Sequence, residues 1–226
     1  MVNKILENDK TSSINLVITV MDRGMTIDEV QKLLTAPMGD KERGFYKAIY
    51  DTWYRAQELL KCNIEDYNKV TGELVCLKPK SKYSRKLKRT IQPAPKHMVL
   101  SIPTKLLFRK IIGNRKKGPI FINERNGNRI SITYFQKYIN DLATRIGIQK
   151  VTCITPTGKK YHLVTLQALR EAGERHTDLA GADSDVTARG AQHSALVKEK
   201  HYKKSGWEEV QEQVKKYHPA FREDEK

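Results

Sequence analysis

Residues 44–61 read Gly44-Phe45-Tyr46-Lys47-Ala48-Ile49-Tyr50-Asp51-Thr52-Trp53-Tyr54-Arg55-Ala56-Gln57-Glu58-Leu59-Leu60-Lys61. Phe45, Ile49, Thr52, Ala56 and Leu59 recur at helical intervals, which predicts a helix from about Gly44 to Lys61 with one buried face. Arg55 and Glu58 near its end have the spacing of an ordinary helix ion pair, worth about 0.2–0.5 kcal/mol. The stretch acquires a more specific meaning only from its surroundings.

Upstream, Thr26 and Glu29 have the capping-box spacing ahead of Ile27, Val30, Leu33 and Leu34, which predicts a helix start at Thr26. Residues 1–20 form a polar lead-in followed by a β-prone stretch, Leu16-Val17-Ile18-Thr19-Val20. Downstream, Glu73 to Leu77 and Leu87 to Gln92 read as the arms of one hairpin, ended by Pro93 and Pro95. A short helix near 103–112 precedes a basic turn from Gly113 to Gly118. Pro119-Ile120-Phe121-Ile122 then leads through Asn126-Gly127 into a helix with Ile132, Phe135, Ile139, Leu142 and Ile146 on one stripe. Residues 151–164 read as a second hairpin, around Thr157-Gly158. The last third is helical from Leu166 through Arg175, around Ala195 to Lys203, and from Trp207 to Tyr217, where Ser205 and Glu208 offer another capping box. There is no internal repeat and no low-complexity linker. The pattern predicts one α+β domain, mostly helical with small antiparallel sheets or hairpins.

A chain of 226 residues suits one domain with short extensions. An apolar fraction of 38% with charges of both signs argues for a folded chain. The longest apolar run, Ile14 to Met21, is broken by Asn15 and Thr19 and falls well short of the roughly 20 residues of a membrane span. Lys4 is followed at once by Glu7, Asn8 and Asp9, which is no signal-peptide pattern. Cys62, Cys76 and Cys153 are an odd set without CxxC spacing, against a disulfide framework or a zinc module. A cytoplasmic chain with no membrane partner is therefore expected. Lys and Arg total 42 against 26 Asp and Glu, a net charge of +16. Such a surface gathers polyanions, because each neutralised phosphate releases condensed counterions. Nucleic acid is the commonest partner of that kind, although solvated lysine faces are equally ordinary.

Four places combine unusual residues with helix or hairpin context. They are Trp53 to Leu60; the turn with Lys78, Lys80, Lys82, Arg85 and Lys86; Leu166-Gln167-Ala168-Leu169-Arg170; and Gly190-Ala191-Gln192-His193-Ser194, with Tyr202 nine residues after the histidine. In this order the chain resembles the catalytic domain of the tyrosine recombinases, the phage and archaeal integrase family. Arg55-Ala56-Gln57-Glu58-Leu59 matches that family's Arg-x-x-Glu-Leu. Gln167-Ala168-Leu169-Arg170 keeps the leucine and arginine of His-x-Leu-Arg but has glutamine for histidine. His193-Ser194 and Tyr202 keep the His-to-Tyr interval of the third motif, with Gln192 in place of its glycine. The similarity covers residues 25–204, leaving 1–24 as a lead-in and 205–226 as a helical tail.

What the resemblance implies is strand cleavage and rejoining on double-stranded DNA through a 3′-phosphotyrosyl intermediate, without metal, ATP or other cofactor. Tyr202 is then the nucleophile, and Arg55 and Arg170 are guanidinium forks on the phosphate oxygens. Aimed donors of that class are worth about 2.7–4 kcal/mol each. His193 contacts the phosphate and relays the tyrosine proton, Gln167 binds phosphate, and Lys82 is the general acid, with Lys80 and Lys86 as rivals. A phenol of pKa about 10 needs those cations to ionise at attack. Gln167 can donate a hydrogen bond but carries no charge or proton, so a slower site is expected.

Singly, each residue has an ordinary use. Arg55 with Glu58 is a helix ion pair, the lysine turn a solvated loop, His193 a surface histidine, and Tyr202 a packing tyrosine like Tyr134 or Tyr217. Only the joint order Arg, Lys, Arg, His, Tyr favours the recombinase reading over these ordinary uses. A type IB topoisomerase, which shares that residue logic, and a non-catalytic DNA-binding descendant are the competing functions. The family's separate clamp domain has no counterpart in residues 1–24, so the chain is either a fragment of a longer integrase or a compact relative. With its hairpin over 151–164 and no clamp, the chain resembles integrases from archaeal viruses and plasmids, which implies a mobile-element origin and nucleoid association. The resemblance also implies a homo-oligomer, a tetramer on DNA, with the Trp207, Val210, Val214 and Tyr217 stripe docking either on a neighbour or on its own domain.

Overall fold

The computed structural model describes residues 24–84, 88–154, 158, 160–192 and 207–222. Helix α1, Ile27–Thr35, starts where the capping box predicts: Thr26 Oγ1 accepts from Glu29 N at 3.2 Å, and Glu29 Oε2 accepts from Thr26 N at 2.9 Å. The helix expected over 44–61 is two helices, α2 (Asp40–Thr52) and α3 (Ala56–Lys61). Trp53 breaks it by taking a left-handed conformation, φ 52° and ψ 26°. That conformation costs a non-glycine residue roughly 1–2 kcal/mol, and complete burial of the indole offsets it. Three residues on, the chain restarts: the Arg55 carbonyl accepts from Glu58 N at 2.7 Å and Leu59 N at 3.0 Å. Periodicity alone does not register this break, because the apolar stripe runs straight through it.

The β structure also differs from the expected single hairpin. Strand β1, Glu73–Cys76, pairs antiparallel with β4, Lys96–Val99, placing Cys76 opposite Lys96. Between them, β2 (Lys82–Ser84) and β3 (Arg89–Ile91) form their own ribbon, Lys82 opposite Ile91. Burial explains the choice of partner: Leu74 and Cys76 on β1 face a core that Met98 and Val99 can join, whereas Ile91 stays 39% exposed. After α4 (Ile102–Ile112) and α5 (Ile132–Arg145), strands β5 (Val151–Ile154) and β6 (Lys160–His162) form the second expected hairpin. The α+β class with small antiparallel sheets, read from the sequence, is what the chain adopts.

The core lies between α2, α4 and α5. Phe45 stacks on Phe135 with ring centroids 3.7 Å apart and meets Phe121 edge-on at 5.2 Å. On the other side of α2 lie α6 (Leu166–Leu179), α7 (Ser184–Ala191) and α8 (Trp207–Tyr217), followed by the single turn α9 (Pro219–Arg222). Two glycines allow this approach. A Cβ on Gly173 of α6 would overlap the Tyr50 carbonyl and lie 2.9 Å from the Trp53 ring. A Cβ on Gly190 of α7 would lie 2.9 Å from both Trp53 and Val210. Trp53 is thus the point on which α2, α6, α7 and α8 converge. Val210 and Val214 of the tail helix are fully buried against their own chain. The helix expected around 195–203 lies outside the described residues, as does Ser205.

Candidate functional site

The helix break frees two backbone groups and one carboxylate for other uses. Without a following helical turn, the Trp53 carbonyl accepts from Arg170 Nε at 2.6 Å and faces Lys96 Nζ at 3.5 Å. Glu58 folds back over the start of α3. Its Oε1 accepts from Arg55 Nη1 at 3.0 Å and Lys80 N at 3.1 Å; its Oε2 accepts from Arg55 N at 3.0 Å and lies 3.7 Å from Lys96 Nζ. The Glu58 side chain is only 4% exposed and that of Lys96 is 0% exposed, while Arg55 remains partly open at 28%. The expected Arg55–Glu58 ion pair therefore exists, but as part of a buried network and not as surface decoration.

Burial acts against the Glu58 charge, yet Lys96, the Lys80 and Arg55 N–H groups and the Arg55 guanidinium outweigh it and hold the carboxyl below its ordinary range. Burial pushes Lys96 down to about 7; Glu58 opposes that shift, and Arg170 and Arg55 add to it. The pair is therefore ionic below neutral pH, and Lys96 is the member that gives way as pH rises through neutrality. Lys96 Nζ also lies 4.8 Å from the centre of the Tyr54 ring. The Tyr54 hydroxyl in turn donates to the carbonyls of Leu74 and Lys96 at 2.6 and 2.8 Å, fixing the helix break to the β1–β4 sheet.

Arg170 is 1% exposed. Its Nη2 donates to the Ala191 carbonyl at 2.7 Å, so the guanidinium joins Trp53 at the helix break to the last residue of α7. Burial, then the neighbouring Arg55 charge, lowers its pKa, with Glu174, Glu58 and Glu171 opposing. The free planar fork expected from the sequence is here a guanidinium with two nitrogens engaged by main-chain carbonyls.

Arg55, Glu58, Lys78, Lys80 and Gln167 line one open groove of about 610 Å³. Gln167 is exposed there and donates to Glu171 Oε1 at 2.6 Å. Lys82 opens strand β2 just beyond the groove rim formed by Ser81. His193, Tyr202 and Lys86 lie outside the described residues. Tyr134 is 42% exposed; partial desolvation, then the hydrogen bond it donates to Glu42 at 2.6 Å, raises its pKa and favours the protonated phenol. The structure thus brings Arg55, Gln167 and the first hairpin lysines to one groove, with Arg170 directly behind it. Sequence reasoning missed Lys96 and the Trp53 carbonyl. The signal for Lys96 was its phase: it alternates with Met98 and Leu100, both buried.

Helices packed around small two-stranded sheets are a fold that this chain shares with solved integrases and tyrosine recombinases. The integrase from mycobacterium phage Brujita superposes with a TM-score of 0.61 at 12% identity, over 87% of this chain and 58% of its own. XerA recombinase gives 0.59 at 16% identity, over 89% and 65%. The Tn1549 transposon integrase in complex with transposon right end DNA gives 0.58 at 12%, over 85% and 65%. In sequence, the chain is similar to tyrosine recombinase XerC from Thermodesulfovibrio yellowstonii, 28% identical over 211 residues that cover 89% of this chain and 64% of the relative. No family model matches it. The chain spans less than two thirds of the length of these relatives. Among the described residues, no helix is long and apolar enough to cross a membrane.

Proposed function

We propose that the chain cleaves and rejoins duplex DNA through a 3′-phosphotyrosyl ester, in the service of site-specific recombination or integration. The observation that carries this reading is the buried tie from Arg170 through the Trp53 carbonyl to the segment bearing Arg55, at the edge of a cationic groove. Arg170 supports the break through the Trp53 carbonyl, but the Arg55 guanidinium stays partly open to the groove, and a phosphodiester supplies the anion that would engage both.

In this mechanism the DNA backbone enters the groove beside Arg55, Lys78 and Lys80. Arg55 contacts a non-bridging oxygen, while Arg170 adds its charge from behind and draws on donors left by its two carbonyl bonds. Tyr202 attacks phosphorus, its proton passing toward His193; the P–O5′ bond breaks, and the 5′ oxygen takes a proton from a ribbon lysine, Lys82 in this reading with Lys80 and Lys86 as alternatives. The ester conserves the bond energy, so reversal needs no nucleotide. The Glu58 bond to Lys80 N supports a lysine donor here, because it holds the start of the ribbon at the groove. Gln167 supplies a neutral contact. Residues 25–204 constitute the catalytic unit and 205–226 a tail. Strand exchange then runs in a homo-oligomer, a tetramer on paired sites.

The test is incubation with an end-labelled nicked duplex. A denaturant-stable adduct lost in Tyr202→Phe supports the reading; no adduct, or one that survives that substitution, refutes it.

A further inference from the structure

Lys96 lies outside every motif above, yet it is one of the largest fully buried side chains. Taking an ammonium out of water costs several kcal/mol unless its partners repay it, and an apolar side chain of the same length would avoid that cost. Its partners are the Glu58 carboxylate, the Trp53 carbonyl and the Tyr54 ring. Each belongs to the segment from the helix break to α3, and Lys96 reaches them from strand β4. The carboxylate it touches grips Arg55 twice and Lys80 once, and the carbonyl it faces is the one on which Arg170 rests. One ammonium therefore stands between the supports of both guanidinium groups.

We propose that Lys96 is a positioning residue for phosphoryl transfer: it holds Glu58 and the Trp53 carbonyl in register, so that Arg55, Arg170 and the lysine ribbon bear on one phosphate. It touches no substrate, being fully buried. This inference rests on the reading of the two arginines as phosphate contacts. Its physical content is geometric. With the ammonium removed, Glu58 loses the partner of Oε2 on the sheet side, and the Trp53 carbonyl keeps only Arg170. Both arginines then sample orientations that the intact network forbids, and misplacing catalytic donors by about 1 Å costs on the order of 10²-fold in rate.

The experiment uses the full chain with Lys96→Met and Lys96→Gln, each checked by circular dichroism. Duplex affinity and the single-turnover rate of adduct formation at saturating nicked duplex are measured separately. The expected result is affinity within about twofold of the parent and a rate lowered tenfold or more in Lys96→Met, with Lys96→Gln between them because its amide still reaches the carbonyl. Equal rates overturn the proposal, and so does a loss of affinity in step with rate, which marks a general structural defect. The Arg170 Nε–H resonance in ¹⁵N-arginine-labelled protein reads the same positioning without any reaction. It is expected to shift and to exchange with water at least tenfold faster in either variant, and an unchanged resonance overturns the proposal. Should the parent form no adduct, the phosphotyrosyl reading fails while this second measurement still decides the role of Lys96.

Discussion

Glu58→Gln is the most informative single change to the network. Glutamine keeps the shape but presents one oxygen and one NH₂ where there were two acceptors. If the oxygen takes the Oε1 place, Arg55 Nη1 and Lys80 N remain paired, while Arg55 N–H and the Lys96 ammonium face another donor. Turning the amide over merely exchanges which pair is lost. Below neutral pH, where Lys96 keeps its proton, removing one partner of a buried ion pair costs about 3–5 kcal/mol, a large share of a typical total stability of about 5–15 kcal/mol. At roughly 2–4 °C per kcal/mol for a chain this size, the melting temperature is expected to fall by roughly 6–20 °C. Adding Lys96→Met removes the stranded ammonium, so the double variant is expected to recover about half of the loss. Urea unfolding of the parent, both single variants and the double variant measures the coupling. A Glu58→Gln cost under about 1 kcal/mol, or a double variant no more stable than Glu58→Gln alone, would show that the network is not coupled as described.

The molecule is expected to lose stability on the acid side through its histidines. Burial, with smaller contributions from neighbouring charges, lowers His218 to about 3, and burial lowers His176 as well. Between the unfolded value of about 6.5 and pH 3 the unfolded chain binds the extra proton, so stability falls as pH drops, by about 1.4 kcal/mol per unit for His218 alone. Urea midpoints at pH 7, 6 and 5 check this, and a flat profile contradicts it. Gly173→Ala places a methyl against the Tyr50 carbonyl and Trp53; overpacking of about 1–3 kcal/mol is expected in thermal melts, with Gly127→Ala, where space is open but φ is +69°, as a strain-only comparison. Gln167→His restores a group able to carry a proton at the groove and is expected to raise the single-turnover adduct rate several-fold. No gain counts against a phosphate contact at this position.

Legibility in the sequence followed the range of the interactions. The Thr26 capping box and the α5 stripe depend on neighbours three and four residues away, and both stand as expected. The break at Trp53 depends on an indole gripped by α6, α7 and α8, and on carbonyl partners from Arg170 and Lys96, none of which a local pattern contains. The β1–β4 pairing was hidden because the intervening ribbon offers equally strand-like residues, and only burial of Met98 and Val99 separates the two choices. Helix α7 was not expected at all, although Asp183 caps it by accepting from Asp185 N and Val186 N at 2.7 and 3.3 Å. At the site, Arg55 and Arg170 were legible as motif residues, while their supports were not. Lys96 looked like one more surface cation because composition averages charge without regard to alternation along a strand.

The proposed reaction requires Tyr202 to become covalently joined to DNA beside Arg55 and Arg170. Mass spectrometry of the full chain after incubation with a nicked duplex and nuclease trimming measures that directly. A nucleotide adduct is expected on the peptide carrying Tyr202, absent in Tyr202→Phe and strongly reduced in Arg170→Met. A modified peptide elsewhere, or unmodified protein under conditions where the duplex is bound, contradicts it.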